Sequence, residues 1–177
     1  MTDKEIIDML SAWENMELVT NEILNNFDLW EDVINFSLNS EHRVSWRAAW
    51  LVDKINDKNP ILVDIFIPAI IKQVRVEKQH GKRRHFLKVI SLHQIPEEEA
   101  GRLLDFCLEK FVTEKEPIAN RVHAMQILFN ISETEPDLKP EILEIIQNEL
   151  EHQTSPGIRS RGKKLVAQLQ KQIRDGF

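Results

Sequence analysis

The 177-residue chain predicts an all-α fold, specifically a right-handed α-solenoid (an α-α superhelix) of about ten helices. Three observations predict it. Apolar residues recur with the 3.6-residue period of amphipathic helices along nearly the whole chain. The apolar pattern falls on itself when the sequence is shifted by ~38 residues. The chain holds only five glycines, a poor supply for a fold rich in tight turns.

An irregular N-terminal cap is predicted over 1–44. Ile6, Ile7, Leu10 and Trp13 begin a first helix, and Leu18, Val19, Ile23 and Leu24 continue or follow it. Trp30, Val33, Ile34 and Leu38 then read as the second helix of a pair. The first regular repeat, 45–82, opens with Ser45-Trp46-Arg47. Its Ala48, Leu51, Val52 and Ile55 fall at i, i+3, i+4 and i+7. Asn59-Pro60 stops that helix, because the residue before a proline leaves the helical region. Leu62, Phe66, Ala69, Ile70 and Val74 mark a second helix after it.

The next repeats follow without a gap. In 83–120 the first-helix positions become Phe86, Val89 and Ile90, and the second-helix positions Ala100, Leu104, Cys107, Leu108 and Val112. In 121–154 they become Ala124, Ile127 and Leu128, then Leu138, Ile142, Ile145, Ile146 and Leu150. A C-terminal capping helix is predicted in 155–177, near Pro156 to Asp175, where Gly162, Leu165 and Val166 fill the same columns. His93 interrupts the column Ile55, Ile131, Leu169. Neither a linker nor a low-complexity segment divides the chain, so 1–177 reads as one domain.

Helix pairs of this length and register resemble HEAT or armadillo-type repeats over Ser45 to Gln170, and more loosely over the first 40 residues. The resemblance implies the architecture, because one helix pair cannot bury its apolar face without a stacked neighbour. No functional residue carries over from it. The fixed aspartate and following fixed arginine expected of such repeats do not occur at constant register.

Several function classes find no support. The net charge of −6 gives no general attraction to nucleic acid or acidic membranes. No apolar run approaches the roughly 20 residues that span a bilayer. The single cysteine excludes an internal disulfide and fits a reducing compartment, so a cytoplasmic location is expected. Cys107 reads as a small core position in the column Ala69, Cys107, Ile145. The six histidines form no HExxH or similar metal-ligand spacing, so neither a metal nor a cofactor is expected. Glu97-Glu98-Glu99 follow Pro96 at a helix start, where negative charge suits the helix dipole. The chain has no Gly-rich phosphate loop and no GxSxG. It also lacks the SSxMPxKxN-type loop that a resemblance to adenylosuccinate lyase would require. No catalytic residue is assigned.

The candidate contact residues are tryptophans and a basic ladder. Trp46 and Trp50 stand one turn apart, opposite the main apolar stripe, with Arg47 beside them. They suit packing on a preceding repeat or, if exposed, gripping a peptide or stacking a base. Arg83, Arg121 and Arg159 recur one period apart, and Arg47, His85, His123 and Arg161 form a second column two residues on. Cations this early in a helix gain nothing from its own dipole. They read either as inter-repeat pairs, with Glu114, Glu116 or Glu151, or as a surface for an acidic ligand. Charge is also banded: residues 1–41 carry net −9, 72–88 net +6, 133–151 net −6 and 158–177 net +5. Such bands suit a complementary partner or head-to-tail self-association.

The expectation is therefore a non-enzymatic scaffold that binds another protein. The alternative is a nucleic-acid module resembling the HEAT-like DNA alkylation-repair glycosylases, which also use helical repeats, aromatics and a basic face. Asp53, one turn past Trp50, is the acid that alternative would look to.

Overall fold

The computed structural model describes residues 1–152 and 155–176. Among them are eleven α-helices, two short 3-10 turns and no strand. The chain is all-α, as its periodicity predicts. It divides into two compact units, Met1–His93 and Gln94–Phe177.

In the first unit, α1 (Asp3–Ser11) starts with a capping box in which Thr2 and Glu5 satisfy each other's backbone amides. A 3-10 turn at Trp13–Asn15 leads into α2 (Met16–Asn25). Asn26 caps α3 (Phe27–Asn39), its side chain accepting from Leu29 N at 3.2 Å. Helix α4 (Ser45–Lys58) ends at Asn59, one residue before Pro60, where the sequence places the stop.

The helix expected after Pro60 is broken. Helix α5 (Ile61–Asp64) is a single turn, and α6 (Ile67–Val76) starts afresh with Pro68 in its first turn. Pro68 has no N–H to give Asp64 O, and its ring would clash with that carbonyl in a continuous helix. The break rotates the inward face. Val63, Ile67, Ile70, Ile71 and Val74 are buried, whereas Leu62 and Phe66 are half-buried and Ala69 is exposed. Helix α7 (His80–Ile90) follows and buries Phe86, Val89 and Ile90 as predicted. Trp30 anchors this core: it is fully buried, meets Phe66 edge-on, and donates its indole N–H to Leu62 O at 3.2 Å.

The second unit holds α8 (Glu97–Val112), α9 (Ile118–Thr134), α10 (Lys139–His152) and α11 (Pro156–Asp175). The inward residues of α8 are Glu99, Leu103, Cys107 and Phe111, spaced four apart. Leu104 and Leu108, expected inside, are half-buried and Val112 is exposed. Cys107 is fully buried, although its column neighbour Ile145 is half-buried. On α11, Ile158, Gly162, Leu165 and Leu169 face inward. At Gly162 the helices approach closely: a Cβ there would sit 2.8 Å from Leu150 Cδ2.

Helices that follow one another in sequence pack as α3 with α4, α6 with α7, α8 with α9, and α10 with α11, while α4 also packs extensively on α7 and α9 on α11. Each of the sequence-neighbour pairs joins the second helix of one sequence repeat to the first helix of the next, so the boundaries of 45–82, 83–120 and 121–154 fall inside these helix hairpins. Periodicity fixes the length of a repeat and leaves its starting point arbitrary.

A candidate interaction surface

The N-terminal tryptophan cluster comes from three places in the first unit. Trp13, in the turn after α1, lies 5.4 Å from Trp46 and 4.9 Å from Trp50 between ring centroids, both tilted. Trp46 and Trp50 are half-buried, and Trp13 remains 38% exposed. Arg47 holds the group together. Its guanidinium lies 5.1 Å from the Trp13 centroid and 5.6 Å from that of Trp46, while NH1 donates to Leu10 O at 2.7 Å and Ser11 O at 3.3 Å. Lys54 Nζ lies 5.7 Å over Trp50. Trp13, which the sequence reads as part of the first helix, lies instead in a 3-10 turn because α1 ends at Ser11.

The first arginine column divides by position. Arg83 is buried, and its guanidinium donates to the carbonyl of Glu77, the residue that ends α6. Arg121 is buried as well. Its Nε donates to Phe111 O in the last turn of α8 at 2.7 Å, and NH2 meets Glu149 Oε2 at 2.8 Å. Each arginine thus sits in the first turn of a hairpin's second arm and reaches back to a carbonyl that ends the first arm. Terminal carbonyls have no intrahelical partner, and a helix C-terminus attracts positive charge. The cation gains nothing from its own helix dipole; it gains from the dipole of the helix before it. Arg47 serves the end of α1 in the same way. Arg159 is exposed at the start of α11 and has no side-chain partner among the described residues.

The second column is polar and more varied. His85 is buried, its Nδ1 2.9 Å from Asp53 Oδ2 on α4. Lys88, one turn on, reaches Asp53 Oδ1 at 2.5 Å and Asp57 Oδ1 at 3.2 Å. Burial pushes the Asp53 carboxyl up, but hydrogen bonds from His85 and Lys88 and the charge of Lys88 outweigh it and hold it below its usual range. His93 closes the same seam, with Nδ1 3.0 Å from Asp64 Oδ1 and Nε2 on Asn56 Oδ1. The break in the column Ile55, His93, Ile131 therefore has a local cause: a polar cluster between α4, α5 and the end of α7. His123 is half-buried on α9, and Arg161 is exposed and donates to Gln126 Oε1 at 2.5 Å.

Arg121 pairs with Glu149, an acid outside the set Glu114, Glu116 and Glu151 named from the sequence, because periodicity does not select among the acids of 133–151. Exposed apolar side chains also escaped the sequence. Ile61, Ile65 and Leu92 are 79%, 69% and 60% exposed. Ile61 opens α5 and Ile65 follows its last residue, and His93, next to Leu92, is bonded to Asp64 of that helix.

Among the described residues no three His, Cys, Asp or Glu side chains converge as a metal site would require. No helix among them is long and apolar enough to cross a membrane. Burial pushes the Cys107 thiol up, far from nucleophilic character.

No curated protein and no solved structure matches the chain. The family model of the HEAT repeat domain matches residues 4–169, which takes in both compact units and all but the ends of the sequence. With helix hairpins recurring across that span, the chain belongs to the HEAT repeat domain family.

Proposed function

We propose that this protein is a non-enzymatic scaffold that binds another protein through the first unit's tryptophan face. HEAT repeat domains generally mediate protein–protein interaction, and the family match supports that class of function here. The observation that carries the choice of face is the cluster Trp13, Trp46, Trp50 and Arg47. Partly exposed tryptophans beside an arginine are the composition of binding hot spots. Of the basic ladder, Arg83 and Arg121 are committed to helix ends, so Arg159 and Arg161, exposed on α11, are the members that offer a second contact area. His85 belongs to the Asp53 seam. The reading takes the hairpins to stack as a right-handed α-solenoid and the protein to work in the cytoplasm, which a lone buried thiol suits.

The alternative is a nucleic-acid module, favoured by the same tryptophans, since an exposed aromatic flanked by cations can stack a base. Affinity capture from an extract of the native cell, with and without nuclease, separates the two. A protein retained after nuclease and lost with Trp13→Ala/Trp50→Ala supports the scaffold. Loss of all capture on nuclease treatment supports the alternative and refutes the proposal.

A further inference from the structure

Two exposed helix faces, one in each unit, have opposite charge. On α2 and the turn before it, Glu14, Glu17, Leu18 and Glu22 form one outward stripe, at the spacing i, i+3, i+4 and i+8. Leu18, at its centre, is 69% exposed, which no packing within this chain explains. Lys58 reaches the edge of the stripe and donates to Asn21 Oδ1 at 2.9 Å. On α11, Lys163, Lys164, Ala167, Lys171 and Arg174 share the outward face, opposite buried Ile158, Gly162, Leu165 and Leu169. Its centre is the small exposed Ala167, and the first acid on it is Asp175, paired with Arg174 at 3.4 Å. One face thus offers an apolar side chain ringed by carboxylates, and the other a shallow apolar spot ringed by ammonium groups.

We propose that these two faces bind each other between copies of the chain, α2 of one copy against α11 of the next. The occupant of each face is a second copy because both members of the complementary pair are carried on one sequence and are present at equal concentration. The contact is heterologous, since different surfaces meet, so copies join α2 to α11 either in a closed ring or in an open chain. Two helix faces of this length bury an area at the small end of specific interfaces, so the association is weak and salt-sensitive. This inference extends the protein-binding reading above without depending on the tryptophan face, and its failure leaves that reading standing.

Sedimentation equilibrium of the full chain tests it. At about 20 mM salt the weight-average mass rises above 20.8 kDa as concentration increases into the hundreds of micromolar, and at about 500 mM salt it returns to the monomer. Lys163→Glu/Lys164→Glu/Lys171→Glu leaves two acidic faces and is monomeric. Glu14→Lys/Glu17→Lys/Glu22→Lys leaves two basic faces and is monomeric. An equimolar mixture of the two variants associates again. Helical circular dichroism and the melting temperature of each variant are checked first; where a reversal variant unfolds, the corresponding Gln variant replaces it and is expected to be monomeric. A wild type that stays monomeric throughout overturns the proposal, as does a mixture that fails to associate. So does a monomeric wild type that binds a single-stranded oligonucleotide and loses it on the Lys-to-Glu changes, since the α11 face is then a nucleic-acid surface.

Discussion

Arg121→Ala tests whether the arginine column is a set of helix-end caps. The side chain is only 2% exposed, and its acceptors include Phe111 O at 2.7 Å and Glu149 Oε2 at 2.8 Å. Removing it leaves the Phe111 carbonyl at the end of α8 without its donor, at about 1–3 kcal/mol for a buried acceptor. Glu149 is partly solvated, with its side chain 24% exposed, so loss of that pair adds no more than about 1 kcal/mol. The aliphatic stem also leaves a void between α8 and α9. A loss of about 3 kcal/mol follows, equivalent to roughly 6–12 °C in Tm for a chain of this size. The control is Arg159→Ala, one period on, which is exposed and stays within about 0.5 kcal/mol of wild type. Glu149→Gln separates the two contacts and costs at most about 1 kcal/mol, because the bond to Phe111 O survives. Thermal and urea unfolding followed by circular dichroism read all three. Equal, small effects at Arg121 and Arg159 would refute the capping argument and return the whole column to the surface.

Three further outcomes are expected. Gly101→Ala raises stability by up to about 1 kcal/mol, since the position is exposed within α8 and an added Cβ meets nothing within 4 Å; Gly162→Ala gains less, because its methyl arrives 2.8 Å from Leu150 Cδ2, and equal gains in a melting assay would show that this contact yields freely. The Asp53 carboxyl is depressed in the folded state, so its contribution is present above the ordinary value of 3.8 and is lost as pH falls through the folded value; Asp53→Asn should lower stability at neutral pH and flatten the acid limb of the unfolding profile, and superimposable acid limbs would be the contrary result. Cys107 in the native protein should resist thiol reagents until the chain unfolds, and rapid stoichiometric labelling under native conditions would contradict its burial.

How much of this the sequence carried differs between helices. The inward positions Ala48, Leu51, Val52, Ile55, Phe86, Val89, Ile90, Ala124, Ile127 and Leu128 are buried where a 38-residue shift puts them. Helices α4, α7 and α9 are uninterrupted, so one register holds along each. The second helices defeat the same shift. Pro68 resets α6 two residues late, and α8 turns Leu103 and Phe111 inward where the shifted pattern selects Leu104 and Val112. A constant period describes the chain, but each helix still rotates to bury the residues its neighbours leave room for. The tryptophan cluster was half legible. Trp46 and Trp50 are a turn apart in sequence, but their contact with Trp13 depends on where α1 stops, which no propensity at Ser11 or Ala12 fixes sharply.

The basic ladder shows most clearly what periodicity omits. A residue type that recurs once per repeat occupies one geometric position, and the sequence reveals that much. It does not reveal what lies next to that position. Arg83 and Arg121 lie beside the carbonyl ends of α6 and α8, because the loops from Glu77 to Gln79 and from Thr113 to Pro117 are short and fold the second arm directly against the first. An arginine there meets a partial negative charge and an acceptor without a partner, and burial follows from the pairing. Arg159 holds the same column at the start of α11 and remains in solvent. The column is thus one geometric position that holds a buried, helix-capping arginine at Arg83 and Arg121 and an exposed one at Arg159. For the same reason, a charge-reversal of all three arginines reads stability at Arg83 and Arg121 and surface chemistry at Arg159. Only single substitutions, compared at matched positions of the repeat, separate the cap from the contact.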